Sequence, residues 1–239
     1  MLVIPAIDLQ DGCVVRFVQG RFSKKVYSRD PRKTALHWVR QGAEFLHVVD
    51  LDGAFTGTAK NLDIVKEIAA CVDVPVEFGG GVRSIGAINK ILKLGVRRVV
   101  LGTRAIEDKK FLKSAFSLFR DKIIVSLDAK DEVLQVKGWR SPSGNIKIID
   151  FAHDLAKMGF EELIYTDTLK DGTLKGPNIK NIKVLLKVSG LRVIASGGIS
   201  SLEDIRKLKS LEKTGVSGII IGKALYEGKF TLPQALKVA

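Results

Sequence analysis

Asp8 closes the apolar run LVIPAID and Asp128 closes IIVSLD, so each carboxylate stands at the end of a candidate strand. A carboxylate at a buried strand end is costly unless it is hydrogen-bonded or put to use. Taken singly, either aspartate could cap a neighbouring helix or turn. The two occupy corresponding places 120 positions apart, however, and that pairing suits an acid and a base working on one substrate. Glycines also stand in corresponding places: Gly79-Gly80-Gly81, Gly102 before Thr103, Gly197-Gly198, and Gly222 before Lys223. Glycine lets backbone N–H groups approach an oxyanion, so these clusters read as two phosphate cradles, with ordinary turns as the plainer alternative. Two cradles with two carboxylates between them predict a metabolite carrying a phosphate at each end, turned over by acid–base chemistry with no metal.

Other chemistries find little support. His37, His47 and His153 are widely spread and form no HxH or HxxxH pair, and His47, inside a strand pattern, reads as a core histidine. There is no Walker loop, GxSxG elbow or Cys–His pairing. Cys13 and Cys71 are too few for a disulfide framework or a thiolate metal site and read as reduced thiols, which points to the cytoplasm.

The elements that must position these groups alternate along the chain. Short apolar, β-branched runs at 2–8, 45–50, 75–78, 97–102, 123–128, 162–167, 192–196 and 218–222 predict strands. Amphipathic stretches between them, such as PRKTALHWVRQG, NLDIVKEIAACV and IIDFAHDLAKMG, predict helices, and TLPQALKVA closes the chain as the eighth. Strands apolar throughout fit a sheet buried on both faces. Eight alternations in 239 residues predict an α/β fold, a (β/α)8 TIM barrel in one domain spanning 1–239. An open doubly wound sheet would want a GxGxxG opening the first helix, and none is there.

A repeat sharpens that expectation. AIDLQDG is answered by SLDAKDE, FGGGVRS (78–84) by ASGGISS (195–201), and GVRRVVLGTRAIED (95–108) by GVSGIIIGKALYEG (215–228), with VVDLDGAF and YTDTLKDGT a looser pair. Nearly constant offsets predict two half-barrels, about 1–120 and 121–239, related by a twofold axis. In such barrels the site lies at the C-terminal strand ends, and the loops after strands 7 and 8 hold phosphate.

Composition sets the outer bounds. Apolar residues at 46% and charged residues at 27% describe a soluble globular chain, with no apolar run near the length of a membrane span. The start, MLVIPAIDLQDG, predicts no secretory leader. Lys and Arg number 39 against 26 Asp and Glu, a net +13 that suits an anionic partner. The basic residues are scattered and aromatics are only 7%, which favours a solvated lysine-rich surface and a small phosphorylated ligand over nucleic acid or membrane. A monomer is the expected state.

PAIDLQDG–CVVRFVQG, LHVVDLDGAF, EFGGGVRS, VSLDAKD–KGW, YTDTLKDGTLKGPN and ASGGIS…IIIGKALYEG together resemble the ProFAR isomerase family of histidine biosynthesis, in the family's order and over essentially the whole chain. That family converts the aminoaldose ProFAR to the aminoketose PRFAR by a cofactor-free Amadori rearrangement of a bisphosphorylated substrate. The resemblance implies Asp128 as the general acid and Asp8 as the base. It implies Arg16 and Arg83 as anion or sugar contacts, and Trp139 as a lid residue stacking on the aminoimidazole. Thr166 and Asp171 match residues near the ring-opening site, and Gly80, Gly81, Gly102, Thr103, Gly197, Gly198, Gly222 and Lys223 remain the phosphate cradles. Three alternatives stay open: a bifunctional isomerase also acting on phosphoribosylanthranilate, the related cyclase subunit of imidazole glycerol phosphate synthase, and a non-catalytic anion- or RNA-binding barrel. The cyclase family carries lysine where this chain has Arg16.

Overall fold

Strands that are apolar at every position can be buried on both faces, and the chain uses them that way. The computed structural model describes residues 1–18 and 21–239, with the side chains of 17–24 excepted; Gln19 and Gly20, the end of the CVVRFVQG motif, lie outside the described residues. Eight strands form the barrel: β1 (Leu2–Gln10), β2 (Leu46–Asp50), β3 (Val76–Gly79), β4 (Arg98–Leu101), β5 (Ile123–Lys130), β6 (Glu162–Asp167), β7 (Arg192–Ser196) and β8 (Val216–Ile221). Each pairs in parallel with the next, and β1 pairs with β8, so the sheet closes. The expected (β/α)8 barrel is the fold.

Period-two alternation divides each strand between two cores. Ile4, Ala6, Val100, Ile124, Ile164, Ile194 and Ile220 fill the barrel interior. Their neighbours Val3, Ile7, Val99, Leu101, Val125, Leu163, Val193 and Ile219 face outward into the larger core beneath the helices. Those helices are α1 (Pro31–Arg40), α2 (Leu62–Cys71), α3 (Ile85–Leu92), α4 (Lys109–Phe119), α5 (Ile148–Met158), α6 (Ile179–Ser189), α7 (Leu202–Lys209) and α8 (Leu232–Val238). Local chemistry starts several of them. Asp30, Ser84, Asp108 and Asn178 each accept from a first-turn N–H, and Ser201 and Thr231 form capping boxes with Asp204 and Gln234.

Two segments outside the eight expected strands form antiparallel β-structure. Cys13–Val18 extends β1 antiparallel (Asp8 opposite Val15) and pairs antiparallel with Arg21–Ser28. Val133–Val136 extends β5 and pairs with Ser141–Lys147, after a turn in which Asp131 and Glu132 take positive φ. Short helices at Leu51–Thr56, Thr103–Glu107 and Lys223–Tyr226 are also additions, each too brief to show helical periodicity in sequence.

The loops at the strand ends are tied down by two buried aspartates. Asp50, fully buried, accepts from the N–H of Gly53 (2.9 Å), Lys60 (2.5 Å) and Asn61 (2.9 Å) and from Asn61 Nδ2 (2.7 Å). Asp167 does the same for its own loop, accepting from the N–H of Leu169 and Lys170 and from Asn178 Nδ2. The chain then passes close by: Gly80 lies at φ +108°, and a Cβ there would stand 2.1 Å from the Asp50 carbonyl oxygen. Removing the Asp50 carboxylate orphans several buried donors at once. We expect Asp50→Ala to lower unfolding free energy by about 3 kcal/mol in urea titrations, with the cradle loops losing protection in hydrogen exchange before the barrel does.

Candidate active site at the C-terminal strand ends

A cleft of about 240 Å³ opens at the C-terminal ends of the strands. Asp8 and Asp128 both line it, as do Arg16, Gly80, Gly102, Thr103, Trp139, Thr166, Asp171, Gly197, Gly198, Gly222 and Lys223. Of the residues singled out in the sequence, Gly81 and Arg83 are not among those lining it. Gly81 packs behind the cradle against the Thr58–Ala59 backbone, and Arg83 is exposed with its guanidinium against Gly57.

Asp8 is held by a neighbour eight residues on. Arg16 Nη1 donates to Asp8 Oδ2 at 2.5 Å, and Nη2 donates to the Ala6 carbonyl. The antiparallel register of β1 with the first hairpin strand brings the two side chains together. The guanidinium also lies over the Tyr226 ring, 5.0 Å from its centroid, while Tyr226 Oη donates to the same Ala6 carbonyl at 3.0 Å. Burial works against the Arg16 charge, but Asp8 and then Tyr226 and Asp171 outweigh it and raise its pKa further. Gly222 makes this arrangement possible: a Cβ there would meet Arg16 Cζ at 2.6 Å.

Asp128 is oriented from two sides. Ser126 Oγ donates to its Oδ1 at 2.9 Å, and Trp139 Nε1 donates to its Oδ2 at 2.8 Å. Trp139 sits at φ +65° in the turn of the second hairpin, whose Lys137 N–H donates to Thr103 Oγ1 at 2.7 Å. Trp139, expected to act as a lid, thus meets the carboxylate expected to be the acid. Strand alternation could have found Ser126, which shares a face with Asp128; nothing local signals the Trp139 bond or the place of Tyr226.

Asp171 completes the group. It follows β6, and its carboxyl is enclosed near both other aspartates. Burial first, then Asp8, pushes its pKa up to about 6, with Arg16 opposing and Asp128 adding to the rise. Three carboxyl groups around one guanidinium cannot all ionise cheaply in a confined space. At the opposite cradle, Lys223 Nζ donates to the Gly172 carbonyl at 2.8 Å, fixing the loop that carries Asp171. The two cradles share an unusual backbone: Gly102 lies at φ −114°, ψ −111°, and Gly222 at φ −108°, ψ −98°. Among the described residues, no group of three His, Cys, Asp or Glu side chains is placed to hold a metal ion, and no helix is long and apolar enough to cross a membrane.

His47, expected as a core histidine, is buried, but it also lines the cleft and pairs through Nδ1 with Glu77 at 2.6 Å. Glu77 and its partner Arg98 were not foreseen.

The sequence model for histidine biosynthesis proteins matches residues 2–231. The chain belongs to that family. Members similar to it over their whole length include proteins from Syntrophomonas wolfei subsp. wolfei, 48% identical over 100% of this chain and 98% of its own, and from Acetivibrio thermocellus, 44% identical over all of both. A third, from Moorella thermoacetica, is 45% identical over 100% of this chain and 98% of its own. Each is named a 1-(5-phosphoribosyl)-5-((5-phosphoribosylamino)methylideneamino) imidazole-4-carboxamide isomerase.

The Asp171 environment has a measurable consequence. A carboxyl whose pKa rises from 3.8 to about 6 on folding is harmless while protonated in both states, costs the fold progressively more as pH climbs from about 4 to 6, and costs a constant amount above that. Asp171→Asn cannot ionise, so it should gain about 2 to 3 kcal/mol over wild type near pH 8 and almost nothing near pH 4, read from urea unfolding at both. A stability difference independent of pH would contradict the assigned environment.

Proposed function

We propose that the protein isomerises the aminoaldose ProFAR to the aminoketose PRFAR by an acid–base Amadori rearrangement, without a cofactor. The observation that carries this is the pair of carboxylates, Asp8 and Asp128, lining one cleft between two glycine cradles; the names of full-length relatives point to the same reaction.

The chemistry needs a proton in one place and a base in another. An acid protonates the ribose ring oxygen as the nitrogen lone pair on C1 forms a C=N bond and the C1–O bond breaks. The base then removes the C2 proton, and the electron pair flows to nitrogen, giving an enolamine. Tautomerisation protonates C1 and leaves a ketone at C2, so no oxidant or reductant is consumed. Asp8, oriented by Arg16, takes the role of base. Asp128 takes the role of acid, aimed by Ser126 and Trp139. Opening of the Trp139 bond to Asp128 would free the carboxylate for substrate and the indole for stacking. Asp171 supports a second assignment, because burial and the neighbouring Asp8 push its carboxyl up to about 6, where it can carry a proton near neutrality.

The cradles suit the two phosphates. Backbone N–H groups around Gly197, Gly198 and Gly222, with Lys223, would take one; those around Gly80 and Gly102, with Thr103 Oγ1, would take the other. The same reading makes residues 1–239 one domain of two halves, supported by the matched angles of Gly102 and Gly222 and the matched roles of Asp50 and Asp167. Arg16, placed on Asp8 and Tyr226, favours the isomerase over the cyclase alternative.

Purified protein offered ProFAR, with product followed by a coupled cyclase–glutaminase, should turn it over. Asp8→Asn and Asp128→Asn should each lower kcat by about 10²- to 10⁴-fold with a smaller change in KM. If Asp171→Asn is the more damaging change and Asp128→Asn mild, Asp171 is the acid. Wild-type rates in both the Asp8 and Asp128 variants would remove the basis of the reading. Phosphoribosylanthranilate offered to the same preparation tests the bifunctional alternative.

A further inference from the structure

The inner layer of the barrel is apolar, with Ile4, Val100, Ile124, Ile164, Ile194 and Ile220 at its centre. His47 and Glu77 break it. They are register partners on β2 and β3, joined by the 2.6 Å bond from Nδ1 to Oε1. Aligning the two halves on Asp50 with Asp167 and on Gly80 with Gly197 sets His47 opposite Ile164 and Glu77 opposite Ile194. Those two isoleucines are register partners on β6 and β7. One half therefore builds this part of the wall from Ile–Ile, and the other builds it from a buried acid and an imidazole.

Packing does not require the polar pair. A buried charged pair stabilises no better than well-packed apolar residues of similar volume, and often less. Here it also needs support: Arg98 Nε donates to Glu77 Oε2 at 2.6 Å, and Arg98 is itself held by Glu162 at 2.8 Å. Burial opposes the charge on Glu77, but His47 and Arg98 outweigh it and lower its pKa. An ionised carboxylate only accepts, so Nδ1 of His47 carries the hydrogen and the ring is locked in place. Nε2 has no hydrogen-bond partner among the described residues, and the residue lines the cleft.

We propose that His47, oriented by Glu77, contacts the substrate through Nε2, hydrogen-bonding a neutral hydroxyl or carboxamide group of the molecule held between Asp8 and Asp128. Glu77 is a positioning residue and Arg98 its anchor. The inference rests on the isomerase reading and adds to it a specificity contact on the barrel wall of one half only.

The test transplants the other half's solution. His47→Ile with Glu77→Ile, which leaves Arg98 to Glu162 alone, should fold with a lowered Tm, yet lose about 10- to 100-fold in kcat/KM for ProFAR. Glu77→Gln, which still offers an oxygen to the Nδ1 hydrogen, should recover most of that loss. His47→Gln, which keeps a bond to Glu77 but not the imidazole edge, should raise KM at unchanged Tm. A stable double variant with wild-type kcat and KM, or unchanged KM in His47→Gln, would overturn the inference while leaving the isomerase reading intact. A double variant that fails to fold would overturn it by showing the pair to be structural. A wild-type protein with no turnover would remove both.

Discussion

The bond between Arg16 and Asp8 is the contact on which the mouth of the barrel depends. It joins the end of the first strand to the hairpin that follows it, and the same guanidinium rests on Gly222 and on the Tyr226 ring after the last strand. Barrel closure between β1 and β8 brings these chain ends together; Arg16 makes the junction chemical as well as mechanical. A buried cation is tolerable only beside an anion, and the anion offered is the proposed base. The side chain that orients Asp8 is thus also held in place by it.

Arg16 faces more carboxylates than it can neutralise. Asp8 takes its Nη1, Asp128 is satisfied by the hydroxyl of Ser126 and the indole of Trp139, and Asp171 is left to rise to about 6. Low effective dielectric turns this imbalance into a division of labour: one group charged and oriented, another ready to carry a proton. The cost falls on stability, since an enclosed carboxyl that ionises only near neutrality weakens the fold in the pH range where the reaction would run. A carboxyl held this way can carry a proton near neutrality, which is why Asp171 stands beside Asp128 as the second candidate for the proposed acid.

What could be read in the sequence is what repeats or alternates locally. Asp8 and Asp128 stand out because apolar runs of known period end on them, and the cradles stand out because paired glycines recur at nearly constant offset. Capping residues such as Ser84 and Ser201 mark helix starts for the same local reason. The contacts that were not legible cross the barrel. Nothing near Arg16 in sequence announces Gly222, nothing near Trp139 requires its indole to reach Asp128, and the shift of Asp171 comes from crowding by groups far along the chain. His47 was legible as buried but not as paired, because Glu77 lies on another strand and its partner Arg98 on a third. The first hairpin did carry a local signal, Asp11-Gly12 at positive φ before the apolar run CVVRFV; the second is entered by Asp131 and Glu132 at positive φ, with no Asn-Gly or Asp-Gly pair to announce it.

The two like halves proposed for this chain would create a problem of orientation. If both cradles were identical, a substrate with a phosphate at each end could bind either way round, and in one of them the acid would face the wrong atom. The cradles differ: Lys223 stands beside Gly222 where Thr103 stands beside Gly102, and Arg16 adds its charge on the Lys223 side. The inner walls differ too, with Ile164 and Ile194 in one half and His47 and Glu77 in the other. In the proposed reading, backbone that recurs would supply the grip, and side chains that do not recur would decide which end goes where. On this view, catalysis depends on the places where the two halves stop matching, since only there can a near-symmetric barrel tell the ring oxygen from the carbon that must lose its proton.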